Sequence, residues 1–119
     1  MDKAVDNFWV TIDKLVATNK IVIDRPKDSQ HPRYPDYIYP LDYGYLDGTQ
    51  SQDGDGIDIW QGEHGNMATF IVVTVDGLKK DSEIKVLIGC NTGDADKILA
   101  CHRGGDMQAI LIPRPALSN

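Results

Sequence analysis

Ala68-Thr-Phe-Ile-Val-Val-Thr-Val75 runs into Asp76-Gly77, then the charged stretch Leu78-Lys-Lys-Asp-Ser82, then Glu83-Ile-Lys-Val-Leu-Ile-Gly89. The first segment is apolar and rich in β-branched residues, and the last alternates before turning apolar. Together they predict two strands joined by a turn, the first central in a sheet. Upstream, Ile57, Ile59 and Trp60 predict another strand, preceded by a loop over Gln50 to Gly56 and a turn at Asp47-Gly48. Tyr37 to Tyr45 reads as extended, and Ile21 to Ile23 as a short strand ending at Asp24. Pro26, Pro32 and Pro35 exclude a helix between Lys27 and Asp36 and demote any strand there to an edge. Downstream, Gln108 to Ile112 reads as a last strand before Pro113 and Pro115.

Two helices flank these strands. Val5, Phe8, Trp9, Ile12, Leu15 and Val16 recur at helical spacing over residues 2–18, with Asn19 as a stop. Thr92 can cap a short helix that ends at Arg103 before Gly104-Gly105, and Asp94 and Asp96 suit its positive N-terminal end. About six short strands, tight turns and two helices predict a mainly β (α+β) fold. The expected form is a small, closed or nearly closed antiparallel β-barrel with an N-terminal helix and a short C-terminal one.

The 119 residues fit one domain, 1–119, with one modest core. A net charge of -6 makes nucleic acid a poor partner. Cys90 and Cys101 form no CxxC pair, which suits a reduced, cytoplasmic protein. No signal peptide is expected at the N-terminus, and Ala68 to Val75 is too short to cross a membrane as a helix. A homo-oligomer is expected. The helix carrying Phe8 and Trp9 offers an apolar stripe, and a small core gains from added burial.

The chemistry concentrates between Tyr39 and Trp60. Asp53, Asp55 and Asp58 lie within six residues, with Gly54 and Gly56 between them. Carboxylates this close repel one another, and a hard divalent cation removes that cost. The spacing is not that of an EF-hand. Asp58 stands where a loop beginning at Asp53 needs glycine, and His64 where it needs glutamate. Taken alone, the loop is either a metal site or an acidic turn.

Its context favours the metal site. Tyr39-Pro-Leu-Asp-Tyr43-Gly-Tyr-Leu, followed ten residues after Tyr43 by Asp-Gly-Asp-Gly-Ile-Asp, resembles the soluble inorganic pyrophosphatases. That family carries Tyr-Pro-x-Asn-Tyr-Gly-Phe/Tyr-Ile before Asp-Gly-Asp-Pro-x-Asp. Asp24-Arg-Pro26 resembles the family's strand-ending acid followed by x-Pro, with Arg33 standing where it has lysine. Leu78-Lys-Lys-Asp81-Ser-Glu83-Ile-Lys85 resembles Leu-Lys-x-x-Asp and Asp-x-Lys with a shortened loop. Cys101-His102-Arg103 stands for a helix-terminal Tyr-Lys pair.

The resemblance implies an OB-like barrel and Mg²⁺-dependent hydrolysis of pyrophosphate to two phosphates, with Mn²⁺ as an alternative metal. Bound metal clamps phosphate oxygens and lowers the pKa of water. The implied metal ligands are Asp24, Asp53, Asp55, Asp58, Asp81 and Glu83. The implied catalytic residues are Asp55 as general base, Tyr43 and Lys85. Arg33, Tyr39, Lys85 and Arg103 would bind substrate. The expected partner is a small molecule, pyrophosphate, with no nucleic acid and no membrane.

The departures are specific. Asp42 replaces asparagine, Gly56 replaces proline and Pro35 replaces a glutamate. Asp36 to Ile38 spans a gap where the family has a hairpin and a phosphate-contacting arginine. Two other readings therefore stand beside pyrophosphate hydrolysis. One is a phosphate- or metal-binding module with weak turnover. The other is a hydrolase of a different small phosphoanhydride or phosphoester.

Overall fold

A computed structural model describes residues 2–116. Helix α1, Lys3–Thr18, starts where the Asp2 carboxylate accepts a hydrogen bond from the Ala4 N–H at 2.8 Å. It ends where the Asn19 side chain donates to the Leu15 carbonyl at 3.0 Å. Among the described residues six strands follow: β1 Ile21–Arg25, β2 Asp42–Leu46, β3 Ile57–Gln61, β4 Ala68–Asp76, β5 Asp81–Ile88 and β6 Met107–Pro113. Helix α2, Thr92–Cys101, lies between β5 and β6 and opens with a reciprocal cap between Asn91 and Asp94.

The strands form one mixed sheet in the order β1-β2-β3-β5-β4-β6. The fold is mainly β, OB-like and barrel-like, with one helix towards each end of the chain as expected. Two details differ from a closed antiparallel barrel. The sheet stays open, with β1 and β6 as its edges among the described residues. Strand β5 lies between β3 and β4, and its pairing with β3 is parallel, Ile59, Trp60 and Gln61 opposite Val86, Leu87 and Ile88. The hairpin β4–β5 folds back so that its second strand, not its first, meets β3. At the other end β1 and β2 approach so closely that a Cβ on Gly44 would overlap the Val22 carbonyl.

Alternation along the strands gives the sheet two apolar faces. One face carries Ile59, Ile71, Val86 and Ile88 and is covered by Trp9 and Ile12 of α1. The opposite face carries Trp60, Val72 and Leu87, covered by Ala95 and Ile98 of α2 and by Tyr39 and Leu41. The chain thus buries two apolar layers where one core was expected, because α1 and α2 lie on opposite sides. Trp9 faces its own sheet, while Phe8 beside it remains 44% exposed.

Residues 26–41 depart from the β1–β2 hairpin as a compact excursion. The Asp28 N–H donates to the Tyr39 carbonyl and the Tyr39 N–H to the Ser29 carbonyl, at 2.9 and 3.0 Å. Gln30 and Ile38 form an isolated bridge. Prolines deny this stretch a regular strand, yet these bonds close it tightly. No described helix is long and apolar enough to cross a membrane.

Candidate active site

On the α2-facing side the strands change character along their length. Strand β5 reads Leu87, Lys85, Glu83, Asp81, and β4 reads Val72, Thr74, Asp76. Strand β3 reads Trp60, Asp58. The apolar ends lie in the layer under α2, and the charged ends open into a cleft of about 420 Å³. The excursion 26–41 forms another wall, bringing His31, Tyr34, Tyr37 and Tyr39 to it.

Lys85 is the hub of the cleft floor. Its ammonium donates to the Asp58 carboxylate at 2.8 Å, the Tyr43 hydroxyl at 2.9 Å and the Glu83 carboxylate at 3.0 Å. An ammonium has three N–H donors, so all are engaged. The Lys85 side chain is 8% exposed, whereas Asp58 and Glu83 each keep 30%. Burial alone would lower the Lys85 pKa. Tyr43 and Asp58 outweigh it and hold Lys85 above its ordinary value, so it is charged at neutral pH. Burial raises the Tyr43 phenol, with Lys85 opposing, so it is protonated there.

His102 is buried at the back of the cleft, where its Nε2 accepts the Trp60 indole N–H at 3.1 Å. That acceptor role places the proton of the neutral ring on Nδ1. Burial, and then the Lys85 charge, lower its pKa to about 4, against an opposing pull from Asp58. Cys101 lines the same wall, and burial raises its thiol.

The structure gathers some of the expected residues and leaves others apart. Tyr39, Tyr43, Asp81, Glu83 and Lys85 line the cleft, and Asp58 joins them through Lys85. Asp53 and Asp55 are exposed on the loop before β3 and are not among the described lining residues. The Asp53 carboxylate accepts from the Ser51 hydroxyl at 2.6 Å and the Asp55 N–H at 3.0 Å, which hold its pKa below the usual range. Asp24 is exposed near the end of β1. Arg33 is exposed on the excursion, its N–H donating to His31 Nδ1 at 3.0 Å. Arg103 is exposed too, with its guanidinium Nε–H donating to the Ala109 carbonyl at 3.0 Å.

Sequence reasoning missed His31, Tyr37, Thr74, Asp76, Lys79 and His102 as cleft residues. Thr74 and Asp76 had a usable signal, since alternation in β4 puts them on the Val72 face. His102 had only the resemblance of Cys101-His102-Arg103, and its bond to Trp60, 42 residues away, leaves no local signal.

The donor chemistry at the cleft suits magnesium. That ion is held by one or two carboxylates plus substrate phosphate oxygens, and Asp58 and Glu83 offer carboxylates on adjacent strands. Among the described residues no group of three or more His, Cys, Asp or Glu side chains converges as a complete ligand set. Asp53 would have to leave Ser51 to join them.

The OB-like sheet defines the class by fold alone, and solved structures share that fold. An inorganic phosphatase from Anaplasma phagocytophilum matches with a TM-score of 0.56 at 16% identity, covering 79% of this chain and 83% of that one. An inorganic pyrophosphatase from Neisseria gonorrhoeae matches with a TM-score of 0.50 at 15% identity, covering 81% and 75%. At such identities the likeness is one of fold. No family model and no curated protein matches the chain.

Proposed function

We propose that this chain is a cytoplasmic, Mg²⁺-dependent inorganic diphosphatase that hydrolyses pyrophosphate to two phosphates, with Mn²⁺ able to substitute. The observation that carries the reading is the Lys85 cluster with Asp58, Glu83 and Tyr43, on the fold of the matched structures. In the reaction a water oxygen bonds to one phosphorus and the bridging P–O bond breaks. The electron pair stays on the bridging oxygen, and the water's proton passes to a base. Bound Mg²⁺ would neutralise phosphate oxygens beside Asp58 and Glu83. Lys85 fixes both carboxylates and neutralises part of their repulsion. To grip phosphate itself, it must exchange one of its three partners. Lys79 at the cleft supplies a cation without that exchange.

Asp55 is the proposed base, and its loop position requires residues 51–56 to fold inward. That requirement favours a second reading, a binding module that turns over poorly. The experiment is phosphate release from pyrophosphate with Mg²⁺, for the wild type and Asp55→Asn. Loss of a general base costs about 10²–10⁴-fold, and this exposed position should leave the melting temperature unchanged. Full activity in Asp55→Asn removes it from the mechanism. Pyrophosphate binding by the wild type with no phosphate release from it or from any nucleotide supports the second reading.

A further inference from the structure

We propose that the cleft also takes a phosphoanhydride carrying a planar ring, a nucleoside diphosphate or triphosphate, and holds it more tightly than bare pyrophosphate. The inference rests on the hydrolytic reading of the same site and names its substrate class.

The rings form a continuous series. Tyr34, 65% exposed at the lip, packs on His31 with centroids 5.0 Å apart. His31 lies nearly parallel to Tyr39, at 6.3 Å and 8°. Tyr39 stacks on Tyr43 at 5.8 Å and 29°, and the Tyr43 hydroxyl meets Lys85. One end of the series is thus an accessible aromatic face. The other is the Lys85 cluster, where phosphate chemistry belongs.

A ligand made only of phosphate groups has no apolar surface, and it would leave the Tyr34–His31 end untouched. A nucleobase on that end gains aromatic stacking, which works with any base because each has a π face. The phosphates then extend along the cleft towards Lys79 and Lys85. Among the described residues Tyr34 packs in neither apolar layer. Hydrolysis keeps the same balance. Water attacks the terminal phosphorus, the bridging bond breaks, and the nucleotide leaves with the bridging oxygen and its electron pair.

The test is calorimetric titration, with Mg²⁺ present, of the non-hydrolysable methylene-bridged analogues of adenosine 5′-diphosphate and of pyrophosphate into the wild type and Tyr34→Ala. A ring this exposed can be truncated without unfolding the chain. Circular dichroism of the variant checks that. The expected result is tighter binding of the nucleotide by about tenfold, with the advantage lost in Tyr34→Ala and pyrophosphate affinity unchanged. Equal or tighter binding of pyrophosphate, or a nucleotide affinity indifferent to Tyr34→Ala, overturns the proposal while leaving phosphoanhydride hydrolysis intact. Failure of both ligands to bind overturns the hydrolytic reading as well.

Discussion

Acidification from pH 7.5 to 5 should weaken the fold through His102, and replacing that one side chain should remove the effect. The neutral ring accepts the Trp60 indole N–H and sits near the Lys85 charge, so protonation costs an acceptor and adds a like charge. Its pKa falls from 6.5 to about 4 on folding. Between those values the unfolded chain binds the extra proton, so stability falls as pH falls, at up to about 1.4 kcal/mol per pH unit. Over this interval the loss is about 2 kcal/mol, a sizeable part of the roughly 5–15 kcal/mol typical of a domain. The assay is urea unfolding followed by tryptophan fluorescence at several pH values, for the wild type and His102→Gln. Glutamine keeps an acceptor for Trp60 but does not titrate. The wild type should therefore lose about 2 kcal/mol more than the variant between pH 7.5 and 5. Parallel pH profiles for the two proteins would refute the argument.

Lys85→Met should destabilise the chain by about 2–3 kcal/mol, below the 3–5 kcal/mol of a fully buried broken pair, because Asp58 and Glu83 retain partial exposure. Urea unfolding reads this, and a loss under about 0.5 kcal/mol would place the cluster among ordinary surface ion pairs. Light scattering should give a mass above the 13.2 kDa of one chain. Phe8 and Val10 of α1 and Ile84, Ile110 and Ile112 of the sheet leave apolar surface uncovered. A monomer at micromolar concentration would refute self-association.

The elements were legible because their residues alternate or recur with a clean period. Ile57 to Trp60, Ala68 to Val75 and the α1 stripe each match the structure closely. Strand order was not legible. Whether β4 or β5 meets β3 depends on which apolar face finds its complement across the sheet, and local pattern carries no such information. The 26–41 excursion was hidden for a different reason. Its prolines signal only what the backbone cannot do, while the bonds between Asp28, Ser29 and Tyr39 decide what it does. In the site, neighbours in sequence are placed apart. Asp53, Asp55 and Asp58 read as one ligand set, yet Asp58 is fixed by the pleat of β3 while the other two stay on an exposed loop. Tyr43, Glu83 and Lys85 came through resemblance, and strand alternation supplies the physical reason that they meet.

The parallel seam between β3 and β5 divides the sheet into two antiparallel halves, β1–β2–β3 and β5–β4–β6. Tyr43 and Asp58 belong to the first half, Glu83 and Lys85 to the second. The bonds of Lys85 to Asp58 and Tyr43 therefore act as a rivet across the join, in the same place where the chemistry is proposed. Neither half holds the Lys85 cluster by itself. An opening that parts β3 from β5 would dismantle the site at once while each half kept its own strand pairing.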